Sequence, residues 1–188
     1  MPKVVIFNGS PRKNGYTSKL LKEVKKGAEA NGAETITFDL NNSRIKGCQG
    51  CYYCRENDGC AIQDYLQPMY KEIAQADAVV FGSPIYCYQI SGQSKIWLDR
   101  TFPMISGTTS ADFSPRHPGK KLLTVYSQGS ADEDKFIGNI SQVNGILTAY
   151  GWDLLDSIIC SGTTNPDFEL SQELLELAFQ NGQNLINS

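Results

Sequence analysis

Lys3-Val4-Val5-Ile6-Phe7-Asn8-Gly9-Ser10-Pro11-Arg12-Lys13-Asn14-Gly15-Tyr16-Thr17-Ser18 is the stretch on which the architecture turns. Lys3–Gly9 is short, β-branched and closed by a turn, the pattern of a buried strand. From Thr17 to about Asn31, Leu20, Leu21, Val24 and Ala28 make one apolar face of a helix. Lys22, Glu23, Lys25, Lys26 and Glu29 fill the other, and Asn31-Gly32 stops it. The same alternation runs on through the chain. Glu34–Leu40, Ala78–Gly82, Leu122–Tyr126 and Trp152–Cys160 read as strands. Between and after them come helices over Ser94–Phe102, Lys135–Tyr150 and Glu169–Asn187, the last with Leu170, Leu174, Leu177, Ala178 and Leu185 inside. A further helix, capped by Asp64, carries Leu66, Met69, Tyr70 and Ile73 on one face. Gly107–Gly119, with two prolines and many small polar residues, reads as a surface loop. Five strands separated by helices predict an α/β doubly wound parallel sheet of order 2-1-3-4-5. Ligands then bind beyond the carboxyl ends of strands 1, 3 and 4.

The 188 residues suit a single domain, 1–188, with a cysteine-rich insert at about 41–63. Forty per cent hydrophobic and 20% charged residues exclude a disordered or disulfide-scaffold chain. A net charge of −3 offers no basic surplus for nucleic acid or an anionic membrane, so neither is expected as a partner. No apolar run approaches the ~20 residues of a membrane-spanning helix. The opening run is too short for a signal peptide, so a cytoplasmic setting with reduced thiols is expected.

The turn after the first strand fits neither a Walker A loop nor a GxGxxG fingerprint. It brings the hydroxyls of Ser10, Thr17 and Ser18 and the guanidinium of Arg12 to a helix N-terminus. Free backbone N–H groups and the positive end of the helix dipole favour a phosphate there. An ordinary N-cap would explain one hydroxyl, but not the Ser-Pro-Arg segment.

Gly9-Ser10-Pro11-Arg12-Lys13-Asn14-Gly15-x-Thr17 resembles the phosphate loop of the NADPH-dependent FMN reductases, a branch of the flavodoxin-like flavoproteins. Where most relatives carry Asn, this chain has Tyr16. Gly82-Ser83-Pro84-Ile85-Tyr86-Cys87-Tyr88 extends the resemblance, followed by Lys95 and the Asp99-Arg100 pair. The resemblance implies a flavodoxin-like three-layer fold that binds FMN, with Pro84, Ile85, Tyr86 and Cys87 along the isoalloxazine edge. Tyr86 and Tyr88 could instead be core or interface aromatics. Lys95, Asp99 and Arg100 could equally form an ion network on a helix surface, and carry no assigned chemistry. Ser127, Gln128 and Gly129 supply a third wall, where Gly129 permits close backbone approach.

Cys48-x2-Cys51-x2-Cys54-x5-Cys60 places four of the six cysteines within thirteen positions. Four thiolates on one short loop can wrap one cubane, each on a different iron. The spacing matches the compact motif of the iron–sulfur flavoproteins, which join a [4Fe-4S] cluster to FMN. Asp64-Tyr65-Leu66 departs from the Asp-Asp-Met that often follows that motif. A closed zinc site prefers paired hooks further apart, disulfides are disfavoured in a reducing compartment, and cluster-free relatives keep cysteines at similar spacing. Cys87 and Cys160 are expected to pack as small hydrophobes.

These resemblances imply an FMN-dependent oxidoreductase that moves electrons from NAD(P)H, or a reduced ferredoxin-type donor, to a small acceptor such as free flavin or a quinone. The alternative is a non-enzymatic carrier between redox proteins, which would tend to be more acidic than −3. A receiver domain shares the sheet order but needs acidic residues where strand 1 ends in Asn8-Gly9-Ser10. No obligatory acid–base side chain stands out, and His117 falls in the surface loop. A homodimer or homotetramer is implied, with Tyr52 and Tyr53 of the insert suited to an interface.

Overall fold

A computed structural model describes residues 1–107, 109 and 111–186. Five strands form one parallel sheet: β1 (Lys3–Asn8), β2 (Glu34–Asp39), β3 (Ala78–Tyr86), β4 (Lys121–Ser127) and β5 (Asp153–Cys160). Their order is β2-β1-β3-β4-β5, the doubly wound arrangement expected from the sequence. The helices are α1 (Tyr16–Ala30), α2 (Tyr53–Glu56), α3 (Met69–Gln75), α4 (Gly92–Arg100), α5 (Ile137–Thr148) and α6 (Gln172–Asn184). β3 pairs with β1 and β4 and is buried from Ala78 to Ile85, which explains its unbroken apolar run. At the β5 edge the register slips at Leu122/Leu123, leaving Leu155 as a bulge.

Alternation along the strands sends side chains into two cores. Val5, Phe7, Val79, Phe81 and Tyr126 face Trp97 of α4, Ile73 of α3 and Leu147 of α5. Trp97 stacks on Phe81 at 4.6 Å between ring centroids and leans on Phe7 at the same distance. On the other face, Val4, Ile6, Val80, Leu123 and Ile158 meet Leu20 and Val24 of α1 and Ala178 of α6. There α1 and α6 touch backbone to backbone: a Cβ on Gly27 would overlap the Phe179 carbonyl, and one on Gly182 the Val24 carbonyl.

Several boundaries move. Asp64 is not an N-cap: α3 begins at Met69 after Pro68. The Asp64 carboxylate instead accepts from the N–H groups of Leu66 (3.0 Å) and Lys46 (2.9 Å) and pairs with Arg100. α4 starts earlier, capped by Ser91 through the Ser94 N–H, and ends at Arg100 before a 3-10 turn, Phe102–Met104. The Lys135–Tyr150 helix divides into a 3-10 turn at Glu133–Phe136 and α5. Trp152 precedes β5, its indole N–H donating to the His117 carbonyl. The expected loop 107–119 is partly a ribbon, with Ile105–Ser106 antiparallel to Ser114–Pro115; its residues 108 and 110 lie outside the described residues. α6 is shorter than expected, and Leu177 is 40% exposed rather than inside. The expected helix end at Asn187 lies outside the described residues. Among the described residues no helix is long and apolar enough to cross a membrane.

Candidate active site and thiol loop

A cleft of about 760 Å³ opens beyond the carboxyl ends of β1, β3 and β4, where the topology reverses. Its first wall is the turn after β1. The Gly9 N–H donates to the Gly82 carbonyl at 2.7 Å, and a Cβ on Gly9 would strike Ser94 Oγ and lie 2.9 Å from the Gly82 oxygen. The turn is closed on the Arg12 carbonyl, which accepts from Ser10 Oγ (3.1 Å), the Gly15 N–H (3.0 Å) and Ser18 Oγ (2.9 Å). Gly15 then caps α1 without offering a side-chain acceptor. First-turn N–H groups of a helix left in this way are anion donors. Ser10, Arg12, Asn14 and Gly15 line the cleft in front of them.

Thr17 and Ser18 sit behind this wall rather than in the cleft. Both are buried; Thr17 Oγ1 lies 2.7 Å from Ser127 Oγ, joining α1 to the end of β4, and Ser18 holds the turn. Ser127 and Gly129 line the cleft, whereas the Gln128 side chain turns away, donating to the Asp132 carbonyl at 2.7 Å. Gln128 Oε1 is buried with no hydrogen-bond partner.

The second wall is the continuation of β3 through Pro84, Ile85 and Tyr86 into a two-residue turn at Cys87 and Tyr88. Both turn residues have positive φ, 48° and 68°, and the chain returns with Ile90 opposite Ile85. Two consecutive non-glycine residues in this region carry strain of a kind concentrated at functional sites. Tyr86 and Tyr88 are exposed, which excludes the core alternative, and Tyr88 meets Phe136 edge-on at 5.1 Å. Cys87 is exposed at the lip of the cleft, not packed as expected, because the turn points it away from the sheet. Cys160 is buried, and burial pushes its thiol up to about 11.

Sequence reasoning missed two parts of the site. Thr163 and Thr164, beyond β5, line the cleft and are pinned to the third wall, Thr163 Oγ1 to the Gln128 carbonyl (2.9 Å) and Thr164 Oγ1 to that of Gly129 (2.8 Å). Under the first two walls, Ser91 Oγ donates to the Gly9 carbonyl (2.7 Å) and Ser94 Oγ to Ser83 Oγ (2.9 Å). The Ser-x-x-Ser opening of α4 was a visible capping signal, but its partners were not. Tyr16 closes one side: its hydroxyl donates to the Phe168 carbonyl and its ring meets Phe168 edge-on at 4.9 Å.

A second concavity, about 400 Å³, is lined by all four clustered cysteines together with Leu98, Ile146 and Tyr150. Cys48 and Cys51 are exposed, Cys54 and Cys60 half-buried. Burial raises the pKa of Cys54; Arg55 opposes the shift, while Cys60 and Cys48 add to it. Among the described residues no three His, Cys, Asp or Glu side chains gather as a single ion requires. A closed zinc site needs that gathering, with Zn–S of about 2.3 Å, whereas a cubane gives each thiolate its own iron.

The charged residues for which an ion network on the helix surface was the alternative reading fall into two unlike pairs. Lys95–Asp99, at 2.6 Å, is exposed. Arg100 is instead buried against Asp64, at 2.8 Å, their side chains 0% and 2% accessible. Burial works against the Asp64 carboxylate, but the Arg100 guanidinium and the Lys46 and Leu66 N–H groups outweigh it and hold its pKa below the usual 3.8. His117 is 4.0 Å from Asp58, and burial lowers its pKa.

Residues 2–133 match the family of NADPH-dependent FMN reductases. An iron–sulfur flavoprotein of Methanocaldococcus jannaschii is 34% identical over 105 residues, 56% of this chain and 54% of the relative. One of Methanosarcina thermophila is 30% identical over 138 residues, 73% and 70% of the two chains. The chain spans about half the length of the first curated relatives it matches, 54% and 46%. An NAD(P)H:quinone oxidoreductase from Methanothermobacter marburgensis superposes with a TM-score of 0.79 at 20% identity, covering 98% of each chain. An azoreductase from Bacillus anthracis does so at 0.69 and 14%, again over 98% of each. These structures share the flavodoxin-like fold. A doubly wound sheet with an uncapped helix at its switch point thus agrees with the sequence match, and the chain belongs to the NADPH-dependent FMN reductase family, with iron–sulfur flavoproteins among its relatives.

Proposed function

We propose that this protein is an FMN-dependent oxidoreductase that takes electrons from NAD(P)H and passes them to a small acceptor such as free flavin or a quinone. The observation that carries the reading is the helix end at Gly15, uncapped and opening on the switch-point cleft behind Ser10 and Arg12. When bound, FMN supplies the chemistry by taking up two electrons and releasing them singly or together. The chain's own residues bind and orient it. Ser10, Arg12 and the Tyr16 backbone N–H at the start of α1 hold the phosphate. Thr17 and Ser18 act indirectly, by fixing the turn and the helix. Pro84, Ile85, Tyr86 and Cys87 border the ring on one side, and Ser127, Gly129, Thr163 and Thr164 on the other. Gln128 acts indirectly, its carbonyl accepting from the Thr163 N–H and hydroxyl and its N–H donating to the Cys160 carbonyl.

Cys48, Cys51, Cys54 and Cys60 are the ligands for a [4Fe-4S] cluster, which would relay single electrons. Their shared concavity supports this reading, in which each thiolate would bind its own iron. Tyr52, 69% exposed, and Tyr53 offer a surface for a second copy of the chain, to be checked by size-exclusion chromatography. Six free thiols suit a reducing cytoplasm.

The test is a visible spectrum of protein purified without oxygen, with FMN, iron and sulfide assayed on the same sample. Flavin bands over a broad iron–sulfur shoulder support both halves of the proposal. Flavin bands alone reject the cluster, and a protein that takes up no FMN rejects the whole. Stopped-flow mixing with NADH and NADPH separates an enzyme from a carrier, which does not oxidise either at a useful rate.

A further inference from the structure

We infer that Arg100 is a positioning residue that closes the neck of the cysteine loop and orders the segment that carries the four thiols. The loop leaves the body of the protein after Lys46 and returns at Ile62, two residues outside Cys48 and Cys60 respectively. One guanidinium joins both ends: Arg100 Nη1 donates to the Lys46 carbonyl at 2.8 Å, and Nη2 to the Ile62 carbonyl at 3.4 Å. Asp64 accepts from the same two nitrogens, at 2.8 and 3.1 Å, and takes the Lys46 N–H at 2.9 Å. The Nε–H donates to the Tyr70 hydroxyl at 3.3 Å, which in turn donates to the Arg100 carbonyl at 2.9 Å.

Every guanidinium N–H therefore has an acceptor, one from Nε and two from each Nη. Taking a cation out of water is costly, and the arrangement persists only if those bonds and the Asp64 charge offset the cost. A carboxylate alone would do for charge. The two backbone carbonyls are the informative partners, because bonding both removes the open conformations of the segment between them, as a crosslink would. A lysine, with a single nitrogen at its tip, cannot span the carboxylate and both carbonyls in this planar way.

Two further arginines hold the loop along its length. Arg116 Nη2 donates to the Cys54 carbonyl at 3.1 Å, and the Arg55 guanidinium lies 3.6 Å from the Phe102 ring centroid and 4.3 Å from that of Phe113. Neither joins the two ends. Arg100 also reaches back toward the flavin cleft through α4, whose first turn is tied by Ser91 and Ser94 to Gly9 and Ser83. The neck is thus set by the same helix that underlies the phosphate turn.

The test is hydrogen exchange on FMN-loaded, metal-free protein, wild type and Arg100→Lys. In the wild type, amides between residues 47 and 61 should exchange roughly tenfold or more slowly than those of an unstructured segment. In Arg100→Lys, FMN uptake should persist while those amides speed up by about tenfold, and maleimide should label Cys54 and Cys60 correspondingly faster. Wild-type loop amides exchanging at unstructured rates would overturn the inference. So would an Arg100→Lys loop as protected as the wild type, since charge alone would then suffice. Loss of FMN uptake in the variant would also overturn it, by making Arg100 a support for the whole fold. Iron and sulfide reconstitution is read separately, and there alone the inference leans on the cluster reading. The expected result is full uptake by the wild type and uptake about tenfold slower in the variant, where the loop must first be ordered. A wild type that takes up neither rejects the cluster reading and leaves the exchange result to decide the neck.

Discussion

The switch-point cleft and the cysteine loop lie on one fold but are held in place by different physics. The cleft is built on strand ends: β1, β3 and β4 are in fixed register, and the loops that leave them are tied by short hydroxyl bonds from Thr17, Ser91, Ser94, Thr163 and Thr164. No single one of those bonds decides its shape. The cysteine loop has little regular structure beyond the turn of α2, and its ends meet at one buried ion pair. Damage to the cleft should therefore be graded, and damage to the neck abrupt.

The largest effect should follow from Asp64→Ala, which leaves the Arg100 guanidinium buried without its counter-charge. We expect a loss of about 3–5 kcal/mol and a melting midpoint lower by about 10 °C in differential scanning calorimetry. A fall of only a degree or two would place the pair among ordinary surface bridges and erase the contrast. Gly9→Ala comes next. Its Cβ meets Ser94 Oγ and the Gly82 carbonyl, for about 1–3 kcal/mol of overpacking. It should weaken FMN binding by about tenfold or more in fluorescence titration, because the phosphate turn must shift. Thr17→Val removes the partner of Ser127 Oγ, and about 1–2 kcal/mol of stability should go with it. FMN affinity should change by less than about threefold, since Thr17 does not line the cleft.

The buried pair also has a pH signature. The folded-state pKa of Asp64 lies below its ordinary 3.8, so its contribution is fully present above that value and is lost as pH falls through the folded pKa. Urea midpoints measured at pH 6 and pH 3 should therefore converge for wild type and Asp64→Asn at the acid end; a constant gap would refute the depressed pKa. The smallest effect is the control on the same helix. Lys95→Ala breaks the exposed pair with Asp99 and should change stability by no more than about 0.5 kcal/mol.

The sequence was a good guide where one pattern admits one structure. The run Val4–Phe7 reads as a buried strand and is one, and the Gly-Ser-Pro-Arg turn before an amphipathic helix lies at the switch-point cleft, as its place after the first strand predicts. It was a poor guide where a local pattern serves two ends. Asp64 bonds the N–H two residues on, as the start of a helix would, but its other oxygen is committed to Arg100, thirty-six positions away. Arg100 itself sits on a helix with Lys95 and Asp99, and helical periodicity does not say which charge is swallowed. Thr163 and Thr164 were missed for a related reason: the loop after β5 is held at the cleft by bonds to the Gln128 and Gly129 carbonyls, thirty-five positions away, and no turn signal records those partners. Cys87 looked like a small hydrophobe by residue type, yet two successive left-handed residues turn it outward.

The close approach of α1 and α6 at Gly27 and Gly182 bears on where this protein can be cut. The family match spans residues 2–133, which would invite a fragment stopping there. That fragment would lack α6, the helix against which α1 packs and which it touches backbone to backbone at Gly27 and Gly182. The anchored end of α1 lies opposite the one that faces the phosphate turn, so the removed segment would act on the cofactor from across the domain. The smallest working unit is thus fixed by mechanics rather than by resemblance, and a trimmed or permuted version must keep α6 on its glycine seat.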